Sequence, residues 1–152
     1  MSDSVTNYCP YCWQTVEGQE ETCSACGKHL NGYHSLPYEE KLLLALRHPI
    51  RENRALAVHI LGKLKSEKAF KEFEKQLIEN DDIFDLYEIM MALTNYSCRA
   101  KVPWFMTMVS HPAPPVSRLA RRLLNQAESR ECRPSETARL VEAGREITCG
   151  EE

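Results

Sequence analysis

Four cysteines in the stretch CPYCWQTVEGQEETCSAC constrain this chain more than any other feature: they form two CxxC pairs, Cys9 with Cys12 and Cys23 with Cys26, separated by ten residues. A CxxC pair puts two thiolates on one tight turn. Two such turns can supply the four sulfurs of a tetrahedral site, at about 2.3 Å from an ion such as zinc. A segment of roughly 30 residues with only Val5, Tyr8, Tyr11, Trp13, Val16 and Leu30 to bury needs such a staple, because domains below about 40 residues seldom fold without one. Two pairs at this spacing argue against a dithiol redox couple, while iron held by the same four sulfurs satisfies the spacing equally. Four thiolates leave no open coordination position, so the site is expected to be structural rather than catalytic. Gly27 directly follows the second pair, where a positive φ lets backbone N–H groups face the sulfurs; Trp13 holds the matching place in the first. The residues between the pairs predict two very short strands turning at Gly18, and His29 and His34 read as linker residues.

Residues 8–30, with CPYC and CSACGK carrying the match, resemble the zinc-ribbon family. The resemblance implies one structural zinc per chain on Cys9, Cys12, Cys23 and Cys26. The expected division is a zinc ribbon over 1–34 and a helical domain over 35–152, the latter able to fold by itself.

From residue 38 onward the pattern changes to apolar residues three and four apart. Leu42, Leu43 and Leu46, then Leu56, Ala57, Ile60, Leu61 and Leu64, mark two amphipathic helices broken at His48-Pro49. The pattern recurs: Ala57, Ile60 and Leu61 fall over Ile89, Ala92 and Leu93 at an offset of 32, and His48-Pro49 falls over His111-Pro112 at 63. Helices are predicted over 38–47, 52–64, 67–80, 83–96, 99–110 and 114–127, with a seventh from Ser135. Periods of this length built of helix pairs signal a solenoid. ALRHPIRENRALAVHILGKLKSEKAF and VSHPAPPVSRLARRLL resemble the HEAT-repeat family, in particular the short repeats of phycobilisome lyases, over about 38–127. Arg54 takes that family's arginine position, and Pro103 its mid-helix proline. The fold class expected is all-α: a HEAT-like solenoid of about three helix pairs plus a C-terminal helix, preceded by a small zinc ribbon.

Function is bounded mainly by exclusion. No HExxH, GxSxG, GxGxxG, Walker A or EF-hand pattern occurs, so no enzyme is expected. His48 and His111 read as turn residues whose side chains bond to backbone. The acids Glu79, Asp81, Asp82, Asp85 and Glu88 read as a solvated helix entry, and Cys98, Cys132 and Cys149 as incidental thiols. An odd count of seven cysteines fits metal ligands plus free thiols better than a disulfide framework. With no signal-like N-terminus and no apolar stretch of bilayer length, the chain is expected to be cytoplasmic and off the membrane. Net charge is -3, but residues 99–133 carry seven arginines and lysines against two glutamates.

The leading expectation is a non-catalytic protein-interaction module. Its binding surface would lie on the second helix of each pair, through Arg51, His59, Tyr87, Met91, Arg118, Arg121 and Arg122. Arginine at the ends and aromatic and Met residues between them suit an acidic or amphipathic protein segment. The alternative is nucleic-acid binding through the basic 99–133 region, against which stands an overall pI near 6.0. A bilin-attachment role rests on fold analogy alone.

Overall fold

The computed structural model describes residues 7–16 and 20–130, the side chains of 128–130 excepted. The chain divides into two compact units, Met1–Ser97 and Cys98–Glu152. The helix predicted from Ser135 lies outside the described residues.

The first unit holds strands β1 (Asn7–Tyr8) and β2 (Thr15–Val16), a 3-10 helix (Leu30–Ser35) and four α-helices: α1 (Tyr38–Ala45), α2 (Arg51–Leu64), α3 (Glu67–Glu79) and α4 (Ile83–Leu93). Helix α1 packs on α2, α3 on α4, and α2 lies along α4. Their shared core is made of Leu61, Phe73, Leu86, Ile89, Met90 and Leu93, all fully buried. At the crossing of α2 and α4 only a glycine fits: a Cβ on Gly62 would stand 2.7 Å from Ala92 Cβ and 3.0 Å from Ala92 Cα.

The turns are set by side-chain chemistry. Where α1 ends, His48 accepts the Ile50 N–H on Nδ1 at 2.9 Å, the local side-chain-to-backbone bond expected of a turn residue. Arg54 then closes this turn from α2, donating to His48 O at 3.0 Å and Pro49 O at 3.3 Å. The same guanidinium reaches α4, with Nε 3.0 Å from Asp85 Oδ2 and Nη2 3.2 Å from Asp85 Oδ1. This fork geometry adds direction as well as attraction. Helix α2 stops where Lys65 turns left-handed at φ 52°, so that Lys65 N and Ser66 N return to Gly62 O and Leu61 O. Ser66 caps α3 by accepting Ala69 N at 3.0 Å. It also donates to Glu39 on α1, and its carbonyl accepts the Tyr96 hydroxyl at 2.9 Å. Burial, with Glu39 nearby, pushes the Tyr96 phenol up to about 12.

In the second unit, α5 (Cys98–Met108) packs against α6 (Pro114–Arg130). Val116, Leu119, Ala120, Leu123 and Ala127 are buried along α6, the i, i+3, i+4, i+7 stripe of an amphipathic helix. The His-Pro turn recurs here: His111 Nδ1 accepts Ala113 N at 3.1 Å. Both histidines therefore do what their turn position predicts.

Four readings are corrected. Leu56 and Leu64 do not belong to the buried stripe of α2 but are 58% and 56% exposed, while Ala57, Val58, Leu61 and Gly62 face inward. Helix α4 ends at Leu93, not at 96, because Thr94, Asn95 and Tyr96 form a tight three-residue turn back onto Met91, Ala92 and Leu93. The short strands do not form a hairpin turning at Gly18, which lies outside the described residues; β1 and β2 instead flank the first CxxC pair, Asn7 opposite Val16 and Tyr8 opposite Thr15. Cys98 is not an incidental thiol but disulfide-bonded.

Candidate metal centre

The two CxxC pairs fold as the same loop made twice. In the first, Cys9 N donates to Gln14 O and Trp13 N to Cys9 O, each at 2.8 Å. In the second, Cys23 N donates to Lys28 O at 3.0 Å and Gly27 N to Cys23 O at 2.8 Å. A strand clip closes each loop: β1 with β2 around the first, and a bridge from Thr22 to His29 around the second. His29 belongs to that clip through its Nδ1, 3.0 Å from Thr22 Oγ1, and is not among the clustered sulfur residues. The residue after each pair is left-handed, Trp13 at φ 61° and Gly27 at φ 70°. Glycine adopts this conformation freely, whereas a bulky side chain there costs roughly 1–2 kcal/mol.

These loops bring the four sulfurs together, all within 4.8 Å of one another. Cys9 and Cys26 sulfurs are 3.7 Å apart, as are those of Cys12 and Cys23. A tetrahedron with metal–sulfur bonds of about 2.3 Å has edges of about 3.8 Å, and a disulfide would need about 2.05 Å. The cluster therefore has the dimensions of a four-thiolate metal site, and all four cysteines are free. Between Asn7 and Pro37, Cys9 and Cys23 are the only described residues that are buried. The sulfur cluster is thus the core of this segment, and a metal ion is what would fill it.

Electrostatics agree with that reading. Backbone N–H groups of Cys26 and Ala25 point at the Cys23 sulfur and bring its thiol down to about 7. At Cys12 the Gln14 N–H pulls the same way, but burial and the three neighbouring sulfurs prevail and push the thiol up to about 12. Four crowded thiols cannot all ionise unless a cation neutralises them. A metal held by all four sulfurs would have no position left for substrate.

The segment does not stand apart from the helices. Trp13 Nε1 donates to Leu44 O in α1 at 2.8 Å, and its ring lies 4.3 Å from that of His48. Tyr8 meets the same imidazole at 6.4 Å. Tyr11 packs edge-on to Tyr33 at 6.3 Å, with the Lys28 ammonium 4.8 Å above its ring. This Trp13–Leu44–His48 joint is the feature that sequence reasoning missed. Its signal was present in a tryptophan standing where the other loop has glycine.

Of the residues expected to bind a partner, Arg51 and His59 on α2 and Tyr87 and Met91 on α4 are all exposed. Arg51 lies over the ring of Phe84 at 4.4 Å. His59 and Met91 come together, with Lys63 and Glu88, around a shallow hollow of about 130 Å³. Arg118, Arg121 and Arg122 belong to the second unit, where all three are exposed on α6.

No protein-family model, no curated protein and no solved structure matches this chain. No helix among the described residues is long and apolar enough to cross a membrane.

Proposed function

We propose that the chain is a non-catalytic interaction module, a structural zinc ribbon over 1–34 joined to a HEAT-like solenoid over 35–152, that captures an acidic or amphipathic segment of another protein. Zinc is preferred to iron because it has no redox chemistry and takes closed tetrahedral thiolate sites as structural staples. The solenoid reading is supported by α2 lying along α4 and by the His-Pro turn built identically at His48 and His111.

The observation that carries the binding role is the exposed row on α4. Phe84, Tyr87 and Met91 are 61%, 39% and 41% exposed, spaced to share one helix face. Arg51 lies over the first of them. Aromatic and Met side chains beside an arginine are what a partner-binding surface concentrates. Arginine pairs with the carboxylates of an acidic segment, while the apolar row buries its hydrophobic side.

The test is capture by the tagged full-length chain, with and without nuclease, comparing wild type with Tyr87→Lys/Met91→Lys and with Arg118→Glu/Arg121→Glu/Arg122→Glu. Nuclease-resistant capture of a protein, lost in the first variant, supports the reading. Nuclease-sensitive capture lost only in the arginine variant favours the alternative, nucleic acid held by the exposed arginines of α6.

A further inference from the structure

Trp13 faces two ways. Its backbone belongs to the metal loop: Cys12 precedes it, and its N–H donates to Cys9 O at 2.8 Å. Its side chain belongs to the helices. Nε1 donates to Leu44 O at the end of α1, and the ring packs on His48, which organises the turn into α2. Between these two attachments stands a left-handed φ of 61°, a conformation that a bulky residue holds only when its surroundings impose it.

We propose that metal binding at the four cysteines, which rests on the reading given above, locks Trp13 onto α1 and so couples metal occupancy to the stability of α1–α4. The first loop has no apolar core that would hold Trp13 left-handed without the metal, since Cys9 and Cys23 are the only buried residues of the described segment before α1. Once the sulfurs are released from a common ion, φ at Trp13 relaxes to the ordinary negative region. Such a rotation about N–Cα redirects the Cα–Cβ bond, and the indole leaves Leu44 and His48. Tyr8, one residue before Cys9 and also against His48, is released by the same event. An ion that binds only the docked arrangement must stabilise whatever that arrangement stabilises, and the helices must in turn raise the affinity for the ion. Helices α1–α4 keep their own core around Leu61, Phe73 and Leu86, so the stripped chain stays helical and melts earlier. Gly27, the counterpart of Trp13, has no side chain to dock. Of the two residues that follow the pairs, only Trp13 therefore carries the coupling.

The experiment uses the full chain loaded with zinc, then stripped with a chelator and reloaded. The chain has two tryptophans, so a Trp104→Phe variant makes Trp13 the sole emitter. Stripping should shift Trp13 emission to the red and lower the helical melting temperature, and zinc should reverse both. Trp13→Gly should still bind one zinc per chain, since the other loop carries glycine at this place, yet lose most of the melting shift between loaded and stripped forms. That shift is also read on wild type, so the result does not hang on the Trp104→Phe variant. A chain that binds zinc but shows the same Trp13 emission in both forms overturns the coupling alone. So does a Trp13→Gly variant with the full wild-type melting shift. A chain that binds no metal overturns the coupling and the metal reading together.

Discussion

The two CxxC loops share their backbone hydrogen bonds and the left-handed residue that follows each pair, yet one uses Gly27 and the other Trp13. Gly27 is there for φ and not for room, because a Cβ at that position would meet nothing within 4 Å. Gly62 is the reverse. It sits in the ordinary helical region, and a Cβ there would stand 2.7 Å from Ala92. Trp13 has the φ of the first case without the freedom of glycine, and its compensation lies in Leu44 and His48. A left-handed position is thus conformationally demanding in both loops, but only one loop turns the demand into an attachment.

The comparison breaks most severely at the sulfurs. Cys9→Ser and Cys23→Ser remove equivalent buried ligands, one from each loop, and each should abolish stoichiometric zinc binding, measured by elemental analysis. If the loops are equivalent at the metal, the two losses match; a wild-type zinc affinity in either variant, read by competition with a chelator, would show that the four sulfurs are not one site. A smaller effect separates the two kinds of glycine. Gly62→Ala should lower the unfolding free energy by about 1–3 kcal/mol through overpacking against Ala92, seen as an earlier denaturation midpoint of the helices. Gly27→Ala should cost less, roughly 1 kcal/mol of strain at a positive φ. It should appear as weaker zinc affinity, about fivefold to tenfold, and not as a change in helical packing. Equal effects of both alanines on helical melting would dissolve the distinction.

What was legible in the sequence follows from how local each determinant is. The four-cysteine cluster was readable because CxxC spacing is itself the geometry of the loop. The six helices were placed to within a few residues because their apolar period repeats over several turns. The His-Pro turns were readable because a histidine bonding to the N–H two residues on needs no partner from elsewhere. The buried face of α2 was only partly readable: Ala57 and Leu61 were placed on it, but exposed Leu56 and Leu64 were counted with them and Val58 was not, because the close passage of Ala92 over Gly62 favours the row of small residues. The strand pairing was misplaced for a similar reason. Each CxxC loop is clipped by its own flanks, and the intervening glycine at 18 gave a plausible hairpin with no bearing on either clip. The Trp13 joint spans 31 residues to Leu44, and no periodicity links a metal loop to a helix end.

The weakest lever on the first loop's attachment is pH, acting on the histidine beneath Trp13. Burial of the His48 ring holds its pKa below the usual 6.5, and the charge of Arg54 acts in the same direction. Its Nδ1 accepts the Ile50 N–H, which requires that nitrogen to be unprotonated. The unfolded chain therefore takes up the proton first as pH falls. Stability from this group is fully present above 6.5 and is lost as pH drops through the lower folded value. Melting the zinc-saturated chain between pH 7.5 and about pH 5.5 stays above the range where ordinary carboxylates titrate, and comparison with a His48 variant separates this imidazole from the chain's other histidines, His111 among them. His48→Asn is the sharpest comparison, since an asparagine side chain can accept the same N–H in a turn and does not titrate. Wild type should lose melting temperature across the interval more steeply than His48→Asn. Equal slopes would place the pH sensitivity elsewhere and leave the imidazole under Trp13 as a packing surface only.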